Sequence, residues 1–423
     1  MKVFKFGGAS VSNVERIKNL GTLLSAYTNE HLLIVVSAMG KTTNGLEGVI
    51  QSFFNGNTDT ALELFRTIRG EHEAIATQLL DSPIEQLNDF FTEVEWLLHD
   101  KPVRHYDYYY DQVICVGELL SSSIVSHYLN SIGVQNNWVD VRDVIRTDNN
   151  FRDAKIDWEV TAGKIRDSVL PLFANSNIVL TQGFVGATDE NESTTLGREG
   201  SDYSAAIFAN ILNADSQTIW KDVQGVMNAD PKQYPKAKWI PALSYKEVIE
   251  MAYYGAQVIH PKTIKPLQNK EIPLYVKSFL HPEAEGTIIH SATTKGLPPI
   301  IVYKYNQVMI EFTSKDYSFV SEGLTGELNH YFQEISYKPN LTQNAAISFV
   351  CVVDEHAEKV EQLAHRAQEL FYVQVTRNLT LLTIRHYDSL ILDELCSGCT
   401  ILLQQQTTDT IQVLSLSKQA MEN

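Results

Sequence analysis

The chain has 423 residues and a mass of 47.7 kDa, enough for two or three domains at roughly 150 residues each. Hydrophobic residues make up 44% and charged residues 20%, a balance that excludes the disordered and low-complexity classes. Fifty-one Asp and Glu outnumber 34 Lys and Arg, for a net charge of −17. With no basic tail or stripe, the composition argues against nucleic-acid and anionic-membrane partners.

The opening MKVFKFGGAS reads as a buried strand and not as a signal peptide, and no apolar run reaches the ~18 residues of a membrane span. The sequence thus points to a cytoplasmic protein. Residues 3–6 form an apolar strand, Gly7-Gly8 follow, and Asn13 can cap a helix running to about residue 27. Residues 31–37 (HLLIVVS) are a continuous apolar strand of the kind buried on both faces. Residues 44–129 read as mostly helical, and 134–140, 177–181, 218–220 and 273–276 as further strands. Alternation of this kind predicts an α/β layer fold with a largely parallel central sheet over residues 1–290.

The turn-rich GTIIHSATTKGLPP, residues 286–299, predicts a domain boundary. Beyond it the pattern predicts a strand at 300–313, helices at 316–332 and 356–371, and strands at 346–353 and 380–385. A short helix from 390 and strands at 400–404 and 410–415 close the chain. Residues 300–423 thus read as two small α+β units in series, the second shortened. Tyr305-Asn306-Gln307-Val308-Met309-Ile310 is loosely repeated as Arg377-Asn378-Leu379-Thr380-Leu381-Leu382.

The chemistry concentrates in four places. Lys5-Phe6-Gly7-Gly8 ends a strand and opens toward a helix, where paired glycines let backbone N–H groups converge on an anion and Lys5 adds a point charge. The spacing fits neither a Walker loop nor a dinucleotide fingerprint. Thr194-Thr195-Leu196-Gly197-Arg198-Glu199-Gly200-Ser201-Asp202 precedes an apolar helix expected to begin near Tyr203, with Ser201 or Asp202 available as its cap. An arginine between two glycines offers a fork for a carboxylate. The loop running from Trp220 to Lys232 follows a strand, the usual ligand-binding position of α/β folds, and carries Lys221 and Lys232 as phosphate partners. Finally, Asp111 and Glu118 lie seven residues apart on one helix face, a pattern that by itself reads as a solvated surface, and Tyr106–Tyr110 (YDYYY) reads as packing. The four cysteines, including Cys396-Ser-Gly-Cys399, lack the partners of a disulfide framework or a metal knuckle.

In order, KFGGASV, SAMGKTTNGL, CVGELLS, TTLGREGSDYSAA, WKDVQGVMNADP and YGAQVIHPKTIKP resemble the motifs of the aspartate kinases, members of the amino-acid kinase superfamily. The C-terminal part resembles their tandem ACT domains less strongly. The resemblance implies an αβα-sandwich kinase domain at 1–290 and a ferredoxin-like regulatory region at 300–423, of the monofunctional type without a homoserine dehydrogenase domain. It implies phosphorylation of the L-aspartate side-chain carboxylate by ATP to 4-phospho-L-aspartate, the first step of the lysine, threonine and methionine branch. It assigns Lys5 and Asp202 to catalysis, and Ser37, Thr43, Glu118, Arg198 and Ser201 to aspartate. It assigns Lys5, Gly7, Gly8, Lys221, Asp222, Met227, Asp230, Lys232, Gln257 and Lys262 to the nucleotide. Mg²⁺ would arrive held mainly by ATP, with no protein metal site. A homodimer through the ACT-like region and an amino-acid effector, lysine or threonine, are further implications, with the effector loop at 313–324 carrying Asp316, Ser321, Glu322 and Gly323. The alternatives are a kinase for another small acidic amino acid and a catalytically weak ACT-type sensor. Three residues depart from the family pattern. Ala9 stands for a threonine, Glu199 for a common glycine, and Gln257 for a lysine whose work Lys262 can assume.

Overall fold

The computed structural model describes residues 1–416 apart from 257, 317, 318, 320 and 321. The chain divides into two compact units. The first comprises Met1–Val226, Trp239–Ile249 and Gln257–Thr294, and the second Met227–Lys238, Glu250–Ala256 and Lys295–Asn423.

In the first unit, β1 (Lys2–Phe6) and α1 (Val14–Ser25) are followed by β2 (Leu32–Val36). Four helices come next: α2 (Thr42–Phe54), α3 (Thr58–Leu79), α4 (Gln86–His99) and α5 (Tyr106–Ser131). Then come β3 (Asn137–Val139), α6 (Trp158–Lys164), β4 (Ile178–Gln182), and a hairpin of β5 (Val185–Ala187) with β6 (Ser193–Thr195). The unit continues with α7 (Gly200–Ile211), β7 (Ser216–Lys221), β8 (Ala242–Ser244), α8 (Tyr245–Tyr253), α9 (Pro261–Gln268), β9 (Leu274–Ser278) and β10 (Thr287–His290). Eight strands form one sheet in the order β3-β4-β2-β1-β7-β9-β10-β8, parallel except between β9 and β10. The LLIVV of β2 is buried at every position, as a central strand covered on both faces requires. Asn13 caps α1 as expected, accepting from the Arg16 N–H. Pairing of Phe6 with both Val36 and Trp220 brings Gly7, Ser37 and Lys221 to one edge, the carboxyl ends of three adjacent strands.

Two expectations need correction here. The turn-rich 286–299 segment begins with a strand, β10, because Thr287 and Ile289 face the core, and only residues 291–299 are loop. The Asp111–Glu118 face is not solvated: both carboxyls are buried inside α5, whose middle is covered on all sides.

In the second unit, β11 (Ile300–Ser314) leads to α10 (Glu322–Glu334), β12 (Leu341–Asn344), β13 (Ser348–Asp354) and α11 (Ala357–Ala367). β14 (Phe371–Arg385), α12 (Ser389–Cys396), β15 (Ile401–Gln406) and β16 (Thr410–Leu416) complete it. The sheet order is β12-β13-β11-β14-β16-β15. β11 and β14 are long and pair antiparallel along their whole length, with irregular register between Lys304 and Met309. β13 joins only the second half of β11, and β16 only the second half of β14. The first ferredoxin-like unit is therefore complete in β11-α10-β12-β13-α11-β14. The other uses the second half of β14, α12, β15 and β16 and takes its fourth strand from the start of β11. The units interlock instead of standing in series. Asn306 and Asn378, aligned by the sequence repeat, both adopt left-handed backbone (φ 52 and 60) at the bulges between the halves.

Two apolar layers cover the helix side of this sheet, one around Val308, Ile310, Phe312, Leu328 and Leu363, the other around Ile301, Leu382, Ile384 and Val413 with Ala229. A third cluster joins Leu341 and Val352 to Leu381 and Leu414 on the opposite face. The expected helix at 316–332 starts at Glu322, and β14 begins nine residues before the expected strand, because FYVQVTRNL alternates apolar with polar residues. All four cysteines are free, with Cys396 packed beside Tyr303 and Ile391.

Candidate functional site

A cavity of about 460 Å³ opens at the carboxyl ends of β1 and β2. Lys5, near the end of β1, reaches it with its side chain 12% exposed, and its Nζ lies 2.6 Å from Asp202 Oδ1. Gly8 is required by close approach: a Cβ there would meet the Ala38 carbonyl oxygen at 2.6 Å. Ser37 comes from the turn after β2, Thr43 from the first turn of α2, and Glu118 from the buried middle of α5. Glu118 Oε2 is buried with no hydrogen-bond partner among the described residues. Burial pushes its carboxyl from the ordinary 4.5 up to about 8, against the Ala38 N–H and the charge of Lys5.

The far wall is the 195–202 segment. Gly197 (φ 75) and Glu199 (φ 54) are left-handed and turn the chain sharply, presenting Arg198 between them. α7 starts at Gly200, three residues earlier than expected, with Glu199 at the N-cap. Ser201 and Asp202 thus lie inside the first turn and cap nothing. In this first turn the Gly200 N–H donates to the Gly197 carbonyl at 3.0 Å and the Asp202 N–H to that of Glu199 at 3.1 Å, while the Asp202 carboxylate is spent on orienting Lys5.

The cavity therefore unites Lys5, Gly8, Ser37, Thr43, Glu118, Arg198, Ser201 and Asp202. Gly7 adjoins it, 3.5 Å from Lys5 Nζ to a Cβ built there. Lys221 ends β7 beside β1, donating to the Val258 carbonyl at 2.9 Å, and Asp222 follows it exposed. Met227, Asp230 and Lys232 fall in Met227–Lys238, part of the second unit, where Asp230 accepts from the Lys232 N–H at 2.9 Å. Lys262 pairs with Asp153 at the start of α9. Gln257 and Ser321 lie outside the described residues, and Asp316 accepts from Ser314 Oγ at 2.6 Å. Sequence reasoning missed Tyr110, Arg152, Phe184 and Thr195, which also line the cavity. Thr195 opens the TTLGREGSD string without being singled out, Arg152 and Phe184 lie outside every motif, and Tyr110 is hidden in an aromatic run.

The sequence model of the amino acid kinase family matches residues 1–278. Aspartokinase 2 of Arabidopsis thaliana chloroplasts is 30% identical over 402 residues, 89% of this chain and 72% of that protein. Lysine-sensitive aspartokinase 3 of Escherichia coli is 30% identical over 357 residues, 83% of this chain and 78% of that protein. The chain belongs to the amino acid kinase family, among the aspartokinases. The E. coli aspartokinase III complex with aspartate and ADP superposes with a TM-score of 0.83 at 26% identity, covering 100% of this chain and 97% of that one. Its lysine and aspartate complex, described as the T-state, gives 0.81. The likeness spans both units, so the chain shares the aspartokinase fold with its ACT regulatory domains. The left-handed backbone of Glu199 also explains why glycine suits that position in this family.

Proposed function

We propose that this chain transfers the γ-phosphoryl group of ATP to the side-chain carboxylate of L-aspartate, yielding 4-phospho-L-aspartate and ADP. The observation that carries the reading is one cavity holding a Lys5–Asp202 pair, a buried Glu118 with one carboxyl oxygen unpartnered, and Arg198. Glu118 suits the α-ammonium, which takes over the place of its proton. Arg198 suits the α-carboxylate as a two-pronged donor. Ser37, Thr43 and Ser201 supply hydroxyls around the substrate. The side-chain carboxylate, already ionised, attacks the γ-phosphorus, and the bond from that phosphorus to the β,γ-bridging oxygen breaks. No general base is needed, so catalysis reduces to positioning and charge stabilisation by Lys5, held in place by Asp202. Gly7, Gly8 and Ser201 offer N–H groups to the phosphate path. Lys221, Asp222, Met227, Asp230, Lys232, Gln257 and Lys262 are proposed nucleotide contacts. Mg²⁺ enters on the nucleotide, held by phosphate oxygens and water.

The second unit is proposed to hold an amino-acid effector, lysine or threonine, at the turn after β11, and to join two chains in a homodimer. No helix among the described residues is long and apolar enough to cross a membrane, and we propose that the chain acts in the cytoplasm.

ADP release, coupled to an indicator enzyme, tests the reading against L-aspartate, L-glutamate and N-acetyl-L-glutamate. Aspartate alone should support turnover. Preference for glutamate or its N-acetyl form would reassign the substrate, and turnover with none would point to an amino-acid sensor.

A further inference from the structure

Arg152 stands in left-handed backbone (φ 70), a conformation that favours glycine and strains an arginine. Its N–H donates to Asp111 Oδ2 at 2.9 Å. Asp111 is fully buried, and its carboxylate also accepts the Thr195 N–H at 2.8 Å and the Thr195 hydroxyl at 2.7 Å. The Arg152 loop also abuts Gly197: a Cβ there would meet Asp153 Oδ1 at 2.7 Å and the Arg152 carbonyl at 3.2 Å. One buried carboxylate thus ties together the loop bearing Arg152 and the strand leading to Arg198.

The Arg152 guanidinium lies 4.5 Å from the centre of the Tyr110 ring, whose hydroxyl donates to Glu47 at 2.8 Å. Its ion pair with Asp107, at 2.9 Å, is about half exposed on both sides, so the contact is weak and easily exchanged. Arg152 lines the same cavity as Arg198 and Glu118, and also an adjoining one with Glu47, Tyr106 and Tyr110. A glycine would fill the backbone position with less strain, and an exposed pair gives little in return for the arginine.

We infer that Arg152 is a second substrate-recognition residue that, opposite Arg198, receives the α-carboxylate of the amino acid, with Asp111 as the positioning residue that fixes it there. The inference rests on the proposed aspartate reading. In a chain of net charge −17, with Lys5 paired to Asp202, Arg198 alone is set against Glu118 and Glu199 around the cavity. A second cation at the mouth redresses that balance for an anionic substrate.

The test measures saturation kinetics of Arg152→Gly and Arg152→Lys with L-aspartate and with its α-amide, which keeps the side-chain carboxylate but lacks the α-carboxylate. Arg152→Gly should raise KM for aspartate about tenfold, with kcat within about twofold and KM for ATP unchanged. The α-amide should show no such difference, and Arg152→Lys should recover part of the loss. The melting temperature of Arg152→Gly should hold or rise, since strain is relieved. Asp111→Asn should raise KM for aspartate, and add less than its own effect to Arg152→Gly. An unchanged KM for aspartate in Arg152→Gly, or an equal loss with the α-amide, overturns the inference while leaving the kinase reading intact. If the parent chain turns over no aspartate, the function reading fails first and the inference falls with it.

Discussion

Both units contain left-handed backbone, on asparagines and on other residue types alike, and the places where it falls differ in use. In the second unit Asn306 and Asn378 occupy the bulges where the two long strands change partners. Asparagine adopts this conformation at little cost because its short amide bonds locally, so these residues shape a sheet and need no other justification. Around the cavity of the first unit the same conformation falls on Arg152, Phe184 and Glu199. None of these side chains favours it, and all three line the candidate site. Left-handed backbone on an unfavoured residue type is not confined to the site, since Glu271 and Ser336 adopt it as well, so it is the strain together with a place in the cavity wall that singles out Arg152, Phe184 and Glu199. The comparison can be broken or sharpened by substitutions in both regions.

The largest effect is expected at Lys5. Lys5→Ala should lower kcat by roughly 10²–10³, as for other preorganised electrostatic groups, and lower the denaturation midpoint too, because Asp202 is left buried without its partner. A near-parental kcat would remove Lys5 from the mechanism. Next comes Arg198→Ala, which should raise KM for aspartate by roughly 10² through loss of a charge-assisted fork, with KM for ATP unmoved. Equal effects on both substrates would assign Arg198 to the nucleotide instead.

Glu118 gives a pH signature. The ammonium needs an ionised carboxylate, so kcat/KM for aspartate should rise with pH and level off above about 8, and be low and flat in Glu118→Gln. Stability carries the opposite sign. A carboxyl whose folded pKa lies above its unfolded value keeps a proton that the unfolded chain has released. The free protein should therefore lose stability as pH rises from 4.5 to about 8, and no further above it. Denaturant titrations at several pH values should show this slope reduced in Glu118→Gln. A parent slope matching that of the variant would mean that Glu118 titrates normally.

The smallest effect belongs to the bulges. Asn306→Ala should cost ~1 kcal/mol of stability in denaturant titration and leave the aspartate kinetics untouched. Kinetic loss there equal to that of Arg152→Gly would erase the distinction between the two kinds of left-handed residue.

Much of this was legible in the sequence where one chemistry forces a residue string. KFGG, CVGEL and LGREGSD announced Lys5, Glu118, Arg198 and Asp202, and all four meet in one cavity. Position in such strings did not reveal what surrounds a side chain. Asp111 reads as one more acid on a helix face, because its three donors come from residues 152 and 195, far away in the chain. Arg152 carries no motif, since its importance lies in a backbone angle. The second unit was legible as periodicity, and the paired Asn306 and Asn378 showed faintly as a repeat. Its interlocking escaped because strand partnership is a long-range fact that alternation alone does not encode.

The central claim is that the cavity around Lys5 makes an acyl phosphate on aspartate. Hydroxylamine trapping tests this most directly: the chain is incubated with ATP, Mg²⁺ and L-aspartate, and the product is identified by mass. The account predicts aspartate β-hydroxamate in step with ADP from the parent chain, and about 1% or less of that rate from Lys5→Ala. ADP release without hydroxamate, or hydroxamate formed by Lys5→Ala at the parental rate, would contradict it.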